Sequence, residues 1–312
     1  MKHPALFTLL AWFAASLLAA PVDPNKEVRG QLAELRREIA RHDELYHRQA
    51  APEISDADYD RMRQRLAILE RRHPEIAAEV AALEEIGDDR SGLFRPQRHR
   101  EKMLSLEKAY QESDLRAFHM RLAKALSRPD LAYVIEPKYD GLAVSLTYEG
   151  GRLVRAVTRG NGSEGDDITV NVLAISGVPR DLRGADLPDV IEVRGEVYVP
   201  FAEFARVNAE REAAGEAPFA NPRNLAAGTV RQLDAQEVAR RGVRLVCYAV
   251  GAGEPRNALP ATQTELARTF RSWGLPAIEH SWPSRGAEEM VRAVEACGRD
   301  RASFAFPVDG AV

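Results

Sequence analysis

The stretch Glu136-Pro137-Lys138-Tyr139-Asp140-Gly141 decides how this chain is read, because a β-rich run ends there and another begins. Before it stands Tyr133-Val134-Ile135; after it, Leu142 to Tyr148 and, past a Glu149-Gly150-Gly151 turn, Leu153 to Thr158. Pro137 fixes the backbone, and Gly141 permits the turn into the next strand. Lys138 is thereby held at a strand end with acids on either side. An amine so placed acts as a nucleophile once it loses its proton. Neighbouring cations and burial favour the neutral form, and a lone acid favours the charged one. By itself Lys-x-Asp-Gly is a weak signal; a surface lysine in a hairpin turn would look the same.

Three further stretches give it context. Arg159 leads a glycine-rich loop, Thr158-Arg159-Gly160-Asn161-Gly162, followed by Ser163-Glu164-Gly165-Asp166-Asp167. Glu196 stands inside the alternating run Val190 to Val199, where an acid needs a partner: a ribose hydroxyl, or a bridge to Arg194 or Arg159. In Ala220-Asn221-Pro222-Arg223-Asn224, Asn221 caps a helix and Pro222 takes its first position. Arg223 and Arg231 fall near one face of that helix, an arrangement that suits phosphate or plain solvation. A further strand is read at Val243 to Val250. Helices are read at Phe201–Ala214, Pro222–Gln232, Ala261–Trp273 and Ala287–Cys297. The mixture predicts an α+β domain of mixed or antiparallel sheets with flanking helices, without strict βαβ alternation.

Outward from this core the chain changes character. Met1-Lys2-His3 precedes an apolar run from Ala5 to Ala20, short for a membrane span and matching a secretory leader. Three readings stay open: a cleaved leader, which implies export to the periplasm; an uncleaved anchor; and a misassigned start codon, which would leave the protein in the cytoplasm. From Pro24 to Arg48, Leu32, Leu35, Ile39 and Leu45-Tyr46 form one helical stripe. Ala51-Pro52-Glu53 breaks it, Ser55 caps a second helix running to about Arg72, and Gly87 to Pro96 reads as a linker. The 312 residues carry 43 basic and 47 acidic side chains, a net charge of −4, which excludes nucleic-acid binding by bulk charge but not through a local basic patch. Two cysteines, Cys247 and Cys297, support neither a disulfide framework nor a four-cysteine zinc site.

Taken in order and spacing, Lys-x-Asp-Gly, Thr-Arg-Gly-Asn-Gly, Val-Arg-Gly-Glu-Val and Ala-Asn-Pro-Arg-Asn resemble the adenylation domain of bacterial NAD-dependent DNA ligases. The resemblance covers residues 24–312. It implies a leader at 1–20, a helical subdomain at 21–90 that binds nicotinamide mononucleotide (NMN), and an adenylation domain at 91–312. Tyr46, His47, Asp56, Ala57, Asp58, Tyr59 and Asp60 match the family's NMN-binding residues; Tyr46 and Tyr59 offer ring faces to a cationic nicotinamide. Ser105 and Leu106, in Met103-Leu104-Ser105-Leu106, match its nucleotide pocket. The resemblance makes Lys138 the nucleophile that takes AMP from NAD and releases NMN. It places Glu136 beside adenine, where a backbone or side-chain acceptor reads the exocyclic amine. Arg159 and Glu196 fall at the ribose, Arg223, Arg231 and Arg301 on phosphate or nicked DNA, and Asp140 and Asp309 in the pocket. It implies NAD and Mg²⁺, the ion offsetting phosphate charge, with no metal-binding residues assigned. The partner is nicked double-stranded DNA in replication or repair, with no membrane partner beyond the leader, and the protein is expected to be a monomer.

The pattern also departs from the family. Phe306-Pro307-Val308-Asp309-Gly310-Ala311-Val312 matches a motif that continues, two residues on, to a second pocket lysine. That lysine, the OB-fold and the zinc finger are not in this sequence, so a fragment of a longer ligase with slow chemistry of its own is expected. Two other readings stay open: an ATP- or GTP-using nucleotidyltransferase sharing Lys-x-Asp-Gly, and a non-catalytic nucleotide- or nick-binding module.

Overall fold

Two helices, α1 (Lys26–His47) and α2 (Asp56–Arg72), form where apolar residues recur every three or four positions among charged ones. The computed structural model describes residues 26–47, 53–54, 56–76, 94–184, 186–255 and 259–312. The leader at 1–20, the cap at Ser55 and most of the 87–96 linker lie outside these. The chain divides into two units, residues 1–39 with 56–84 and residues 40–55 with 85–312. In the first, Leu32, Leu35 and Ile39 of α1 pack with Leu66 of α2 and with Ile76, flanked by Val28, Tyr59, Met62 and Leu69. Arg36 donates to Glu70 at 2.5 Å across the pair. Among the described residues this small core is the one apolar cluster of the unit.

The second unit runs β1 (Pro96–Arg98), α3 (Glu112–Leu126), β2 (Ala132–Ile135), β3 (Pro137–Tyr139), β4 (Leu142–Glu149), β5 (Arg152–Thr158), β6 (Glu164–Asp166) and α4 (Thr169–Leu173). It continues with β7 (Val190–Tyr198), α5 (Phe201–Ala213), α6 (Pro222–Val230), α7 (Ala235–Arg240), β8 (Arg244–Glu254), α8 (Gln263–Ser272), β9 (Trp282–Arg285), α9 (Gly286–Asp300) and β10 (Val308–Ala311). The architecture is α+β. A four-stranded antiparallel sheet, ordered β5-β4-β7-β8, holds the main core; β1–β6, β2–β9 and β3–β10 are separate antiparallel pairs. Val144, Leu146 and Tyr148 of β4 are fully buried, and so, nearly, are the alternate residues Ser145 and Thr147. Both faces of β4 are therefore covered. The face that carries Leu142, Val144, Leu146 and Tyr148 packs in one cluster with Val172 of α4, Val207 of α5, Leu225 and Val230 of α6, and Phe270 of α8. On the opposite face Ser145 Oγ meets the His99 ring at 3.2 Å. A second cluster, Ile135 with Met290, Ala293 and Cys297, packs β2 against α9.

Gly141 has a different role from the one its place after Asp140 suggests. A Cβ there would lie 2.1 Å from the Val197 carbonyl oxygen, so glycine allows β4 to approach β7 closely. The run Thr158-Arg159-Gly160-Asn161-Gly162 folds as a hydrogen-bonded turn. Asn161 Oδ1 accepts from the Ser163 and Glu164 N–H groups at 3.0 Å each, and Gly162 donates to the Arg159 carbonyl. Among the described residues no helix is long and apolar enough to cross a membrane.

Candidate active site

Lys138 lies within β3, a strand of its own, and not at the strand end that the sequence suggested. Its partner comes from the far end of the sequence. β3 and β10 pair antiparallel with Pro137 opposite Ala311, Lys138 opposite Gly310 and Tyr139 opposite Val308. The register shifts between Val308 and Gly310, leaving Asp309 as the extra residue of a bulge, a device that re-aims a side chain. Asp309 accepts a hydrogen bond from Lys138 Nζ, and each side chain is about one-third exposed. Burial alone would raise the Asp309 carboxyl; the Lys138 hydrogen bond and charge, with Arg223 and Lys108, outweigh it and hold the group below its ordinary range. The ladder is extended by Glu136, whose N–H and C=O both pair with Val312 at 2.8 Å. Aromatic rings brace it from beside the nucleophile. Tyr139 stacks on Phe306 at 4.1 Å, Phe306 on Phe304 at 5.1 Å, and Tyr198 meets Tyr139 edge-on.

Cations and acids from other elements converge on this ladder. Asn221 caps α6 by accepting from the Asn224 N–H at 2.8 Å, with Pro222 following it. That start puts Arg223 where Nη1 donates to Asp140 at 3.2 Å. Glu196, on β7, is half-buried, and burial pushes its carboxyl up to about 7. Arg223, Lys138 and Arg159 pull the other way, and Asp140 pushes with burial, so these charges share one site. Arg194 is engaged elsewhere: it donates to the Glu101 and Lys102 carbonyls at 3.1 Å and pairs with Glu192 at 3.8 Å. Arg159 is half-buried, its N–H donating to the Ala143 carbonyl at 2.9 Å.

Other expected positions are less converged. Arg231 is the residue just past α6, so it and Arg223 stand at opposite ends of that helix and not side by side on a face. Arg301 is exposed in a 3-10 turn after α9, outside the Lys138 cluster. Ser105 and Leu106 are exposed, Leu106 at 61%. They lie in the segment that brings Lys108 within electrostatic reach of Asp309. In the helical unit Tyr59 packs against the small core, and Asp58 pairs with Arg61. The side chains of Tyr46, His47, Asp56, Ala57 and Asp60 lie outside the described residues.

The sequence reading missed Gln263, Arg271, Tyr248 and Lys108. Gln263 opens α8 and donates to Glu136 at 3.0 Å, and the charge of Arg271 also acts on Glu136. The Tyr248 phenol is pushed up by burial and by Glu196, which puts it in the same neighbourhood. Only the capping pattern Thr262-Gln263-Thr264-Glu265 could have drawn attention to Gln263, and that pattern reports a helix start.

The family model for the NAD-dependent DNA ligase adenylation domain matches residues 91–312. The chain belongs to this family. A second model, for a DNA ligase-like N-terminal NAD⁺-binding domain, matches residues 25–80. Among curated ligase relatives, DNA ligase 1 of Opitutus terrae is 53% identical over 92% of this chain and 43% of its own length. The DNA ligase of Methylococcus capsulatus is 43% identical over 92% of the chain and 42% of its own length. That of Trichlorobacter lovleyi is 42% identical over 95% of the chain and 43% of its own length. The chain spans about two-fifths of the length of these relatives.

Proposed function

We propose that this chain is the nucleotide-loading portion of an NAD-dependent DNA ligase, with NAD as the adenylyl donor and nicked double-stranded DNA as the acceptor, in replication or repair. In this reading residues 21–90 hold the NMN half of NAD through Tyr46, His47 and the 56–60 segment. Residues 91–312 hold the AMP half, with Ser105 and Leu106 at the nucleotide and Arg231 and Arg301 on phosphate or DNA. The observation that carries it is the Lys138 cluster: a lysine amine held by Asp309, with Arg223, Asp140, Arg159 and Glu196 converging on it.

Bound NAD supplies an activated adenylyl group whose leaving half is NMN. Once its ammonium proton has gone to water, Lys138 forms the Nζ–phosphorus bond as the bridging phosphorus–oxygen bond breaks. The departing NMN phosphate keeps that electron pair, and the proton shed by the new phosphoramidate nitrogen also passes to water. Asp309 orients the amine, and orientation is a large share of such a step. Arg223 brings positive charge to the α-phosphate oxygens, where charge accumulates. AMP then passes to the 5′-phosphate of the nick, and the 3′-hydroxyl displaces it.

A protein-held magnesium does not fit these residues. Among the described residues no three His, Cys, Asp or Glu side chains cluster as a metal centre, and Asp140 and Asp309 are committed to Arg223 and Lys138. Magnesium is therefore proposed only as a companion of the dinucleotide's phosphates.

Incubating the chain with NAD and Mg²⁺, with prolonged reaction to reveal slow loading, is expected to add the mass of one AMP. Lys138→Ala abolishes the adduct, and ATP does not replace NAD. An adduct that survives the substitution places the nucleophile elsewhere; loading from ATP favours the other nucleotidyltransferase class.

A further inference from the structure

Gln263 is the first residue of α8, and its position is over-determined. Its Nε2 donates to the Glu136 carboxylate at 3.0 Å and to the Tyr248 carbonyl at 2.8 Å. A side-chain amide has two N–H donors, and both acceptors here are oxygens. Turning the amide over would set its oxygen against a carboxylate and a carbonyl at once. The donor side is thus fixed toward Glu136.

Glu136 is almost fully buried, 7% exposed, and its backbone is already engaged on both groups by Val312. The carboxylate is its remaining acceptor. Oε2 takes the Gln263 bond, while Oε1 has no hydrogen-bond partner among the described residues. Glu136 and Lys138 are two residues apart on an extended backbone, so the two side chains share a face. Burial drives the Glu136 carboxyl upward, toward the protonated form; the Gln263 hydrogen bond and the Arg271 charge oppose this. The other titratable neighbour, Tyr139, has a phenol pushed up chiefly by its own burial, with the Tyr198, Glu279 and Glu136 charges adding to it. Without Gln263, Oε2 loses its hydrogen-bond donor and one of the two influences that oppose burial is gone.

We infer that Gln263 is a specificity-determining positioning residue: by donating to Glu136 it keeps that carboxylate an acceptor, so the pocket takes a 6-amino purine and refuses a 6-oxo purine. The inference deepens the proposed function and rests on its placement of Glu136 at the base. Adenine offers an amine donor at position 6, whereas hypoxanthine and guanine offer an oxygen acceptor there. A carboxylate facing the amine makes a hydrogen bond; facing the oxygen, it sets lone pairs against lone pairs. Sites that read a polar group in this way discriminate far better than apolar pockets do.

The test compares AMP and IMP binding to the 312-residue chain by ligand-observed NMR titration, which requires no catalysis. The parent is expected to prefer AMP at least about tenfold, equivalent to about 1.4 kcal/mol. Gln263→Met removes the donor and is expected to bring the two affinities within about threefold. Gln263→Glu, similar in size and still polar, sets a second acid against Glu136; the pair shares a proton, and the preference collapses likewise. Gln263→His keeps an N–H donor and retains most of the preference. Thermal melts confirm which variants fold, and Gln263→Glu decides the matter if Gln263→Met does not. The inference is overturned if the folded loss-of-donor variants keep the parent's AMP-to-IMP ratio, or if Gln263→His loses it as fully as they do. A parent chain that binds neither nucleotide refutes the functional reading itself, and the inference with it. A parent that binds both equally refutes the inference alone.

Discussion

Strand β4 buries nearly every side chain it has, whereas β3, two residues earlier in the chain, leaves Lys138 about one-third exposed. β4 sits between β5 and β7 in a four-stranded sheet, one face of which packs into the large apolar core. β3 has one partner, the four-residue β10, plus the ring stack of Tyr139 on Phe306. The sheet holds Arg159 and Glu196 on a scaffold secured by bulk burial, while the nucleophile rides on a short ladder secured by a few specific contacts. Substitutions in the sheet are therefore expected to act on stability, and substitutions in the ladder on chemistry.

The largest expected effect that separates the two is Asp309→Asn. It removes the charge and geometry that hold the Lys138 amine but leaves the ladder's backbone bonds intact. A misplacement of about 1 Å at a reacting group costs up to roughly 10²-fold in rate. AMP loading from NAD, followed by mass, is expected to slow by about 10- to 100-fold, with the melting temperature nearly unchanged. Unchanged loading would show that Asp309 does not orient the amine.

Next come two apolar truncations. Leu146→Ala opens a cavity in the sheet core and is expected to cost about 2–5 kcal/mol in denaturant unfolding. Phe306→Ala removes a half-buried ring from the stack on Tyr139; beyond its area, such a contact contributes about 0.5–1.5 kcal/mol. Its signature is a smaller loss of stability than Leu146→Ala together with a greater loss of loading rate per folded molecule. If the two variants lose rate strictly in proportion to unfolded fraction, β3–β10 is no more specialised than the sheet.

The same contrast explains what the sequence disclosed. The strands of the sheet were legible because alternating or continuous apolar runs are long enough to show a period, as in Val190 to Val199. The helices α1, α5, α6, α8 and α9 showed their caps or stripes. β3 and β6 did not, because three residues carry no period, and the pairing of residues 137–139 with 308–311 is a long-range event. Lys138, Arg159, Glu196 and Arg223 were found through motif order, and the resemblance set them around one nucleotide; what the motifs did not disclose is the bulge that sets Asp309 against Lys138. The shared helix face read for Arg223 and Arg231 did not form, because α6 ends at Val230. Gln263 carried no chemical signal at all, since its significance lies in a contact with Glu136, 127 positions away.

The smallest effect concerns the meeting point of sheet and ladder, Glu196. Burial raises its carboxyl from an ordinary value near 4.5 to about 7, against the pull of Arg223, Lys138 and Arg159. The folded state thus holds this proton more tightly than the unfolded chain does. Below about pH 4.5 both states are protonated, and the group's favourable contribution is fully present. Between about pH 4.5 and 7 the unfolded chain releases the proton while the folded protein keeps it. Stability therefore falls as pH rises through this window, and the loss is complete above about 7. Asp309, held low, contributes a slope of opposite sign, but in a more acidic window, so it does not confuse the comparison. Glu196→Gln is neutral throughout and removes the Glu196 slope. Relative to the variant, the parent is expected to lose stability between pH 5 and pH 7.5 by no more than about 3 kcal/mol, read by denaturant unfolding at each pH. Parallel pH profiles for the two proteins would mean that Glu196 ionises like a solvated acid, and that the ladder's cations compensate its burial in full.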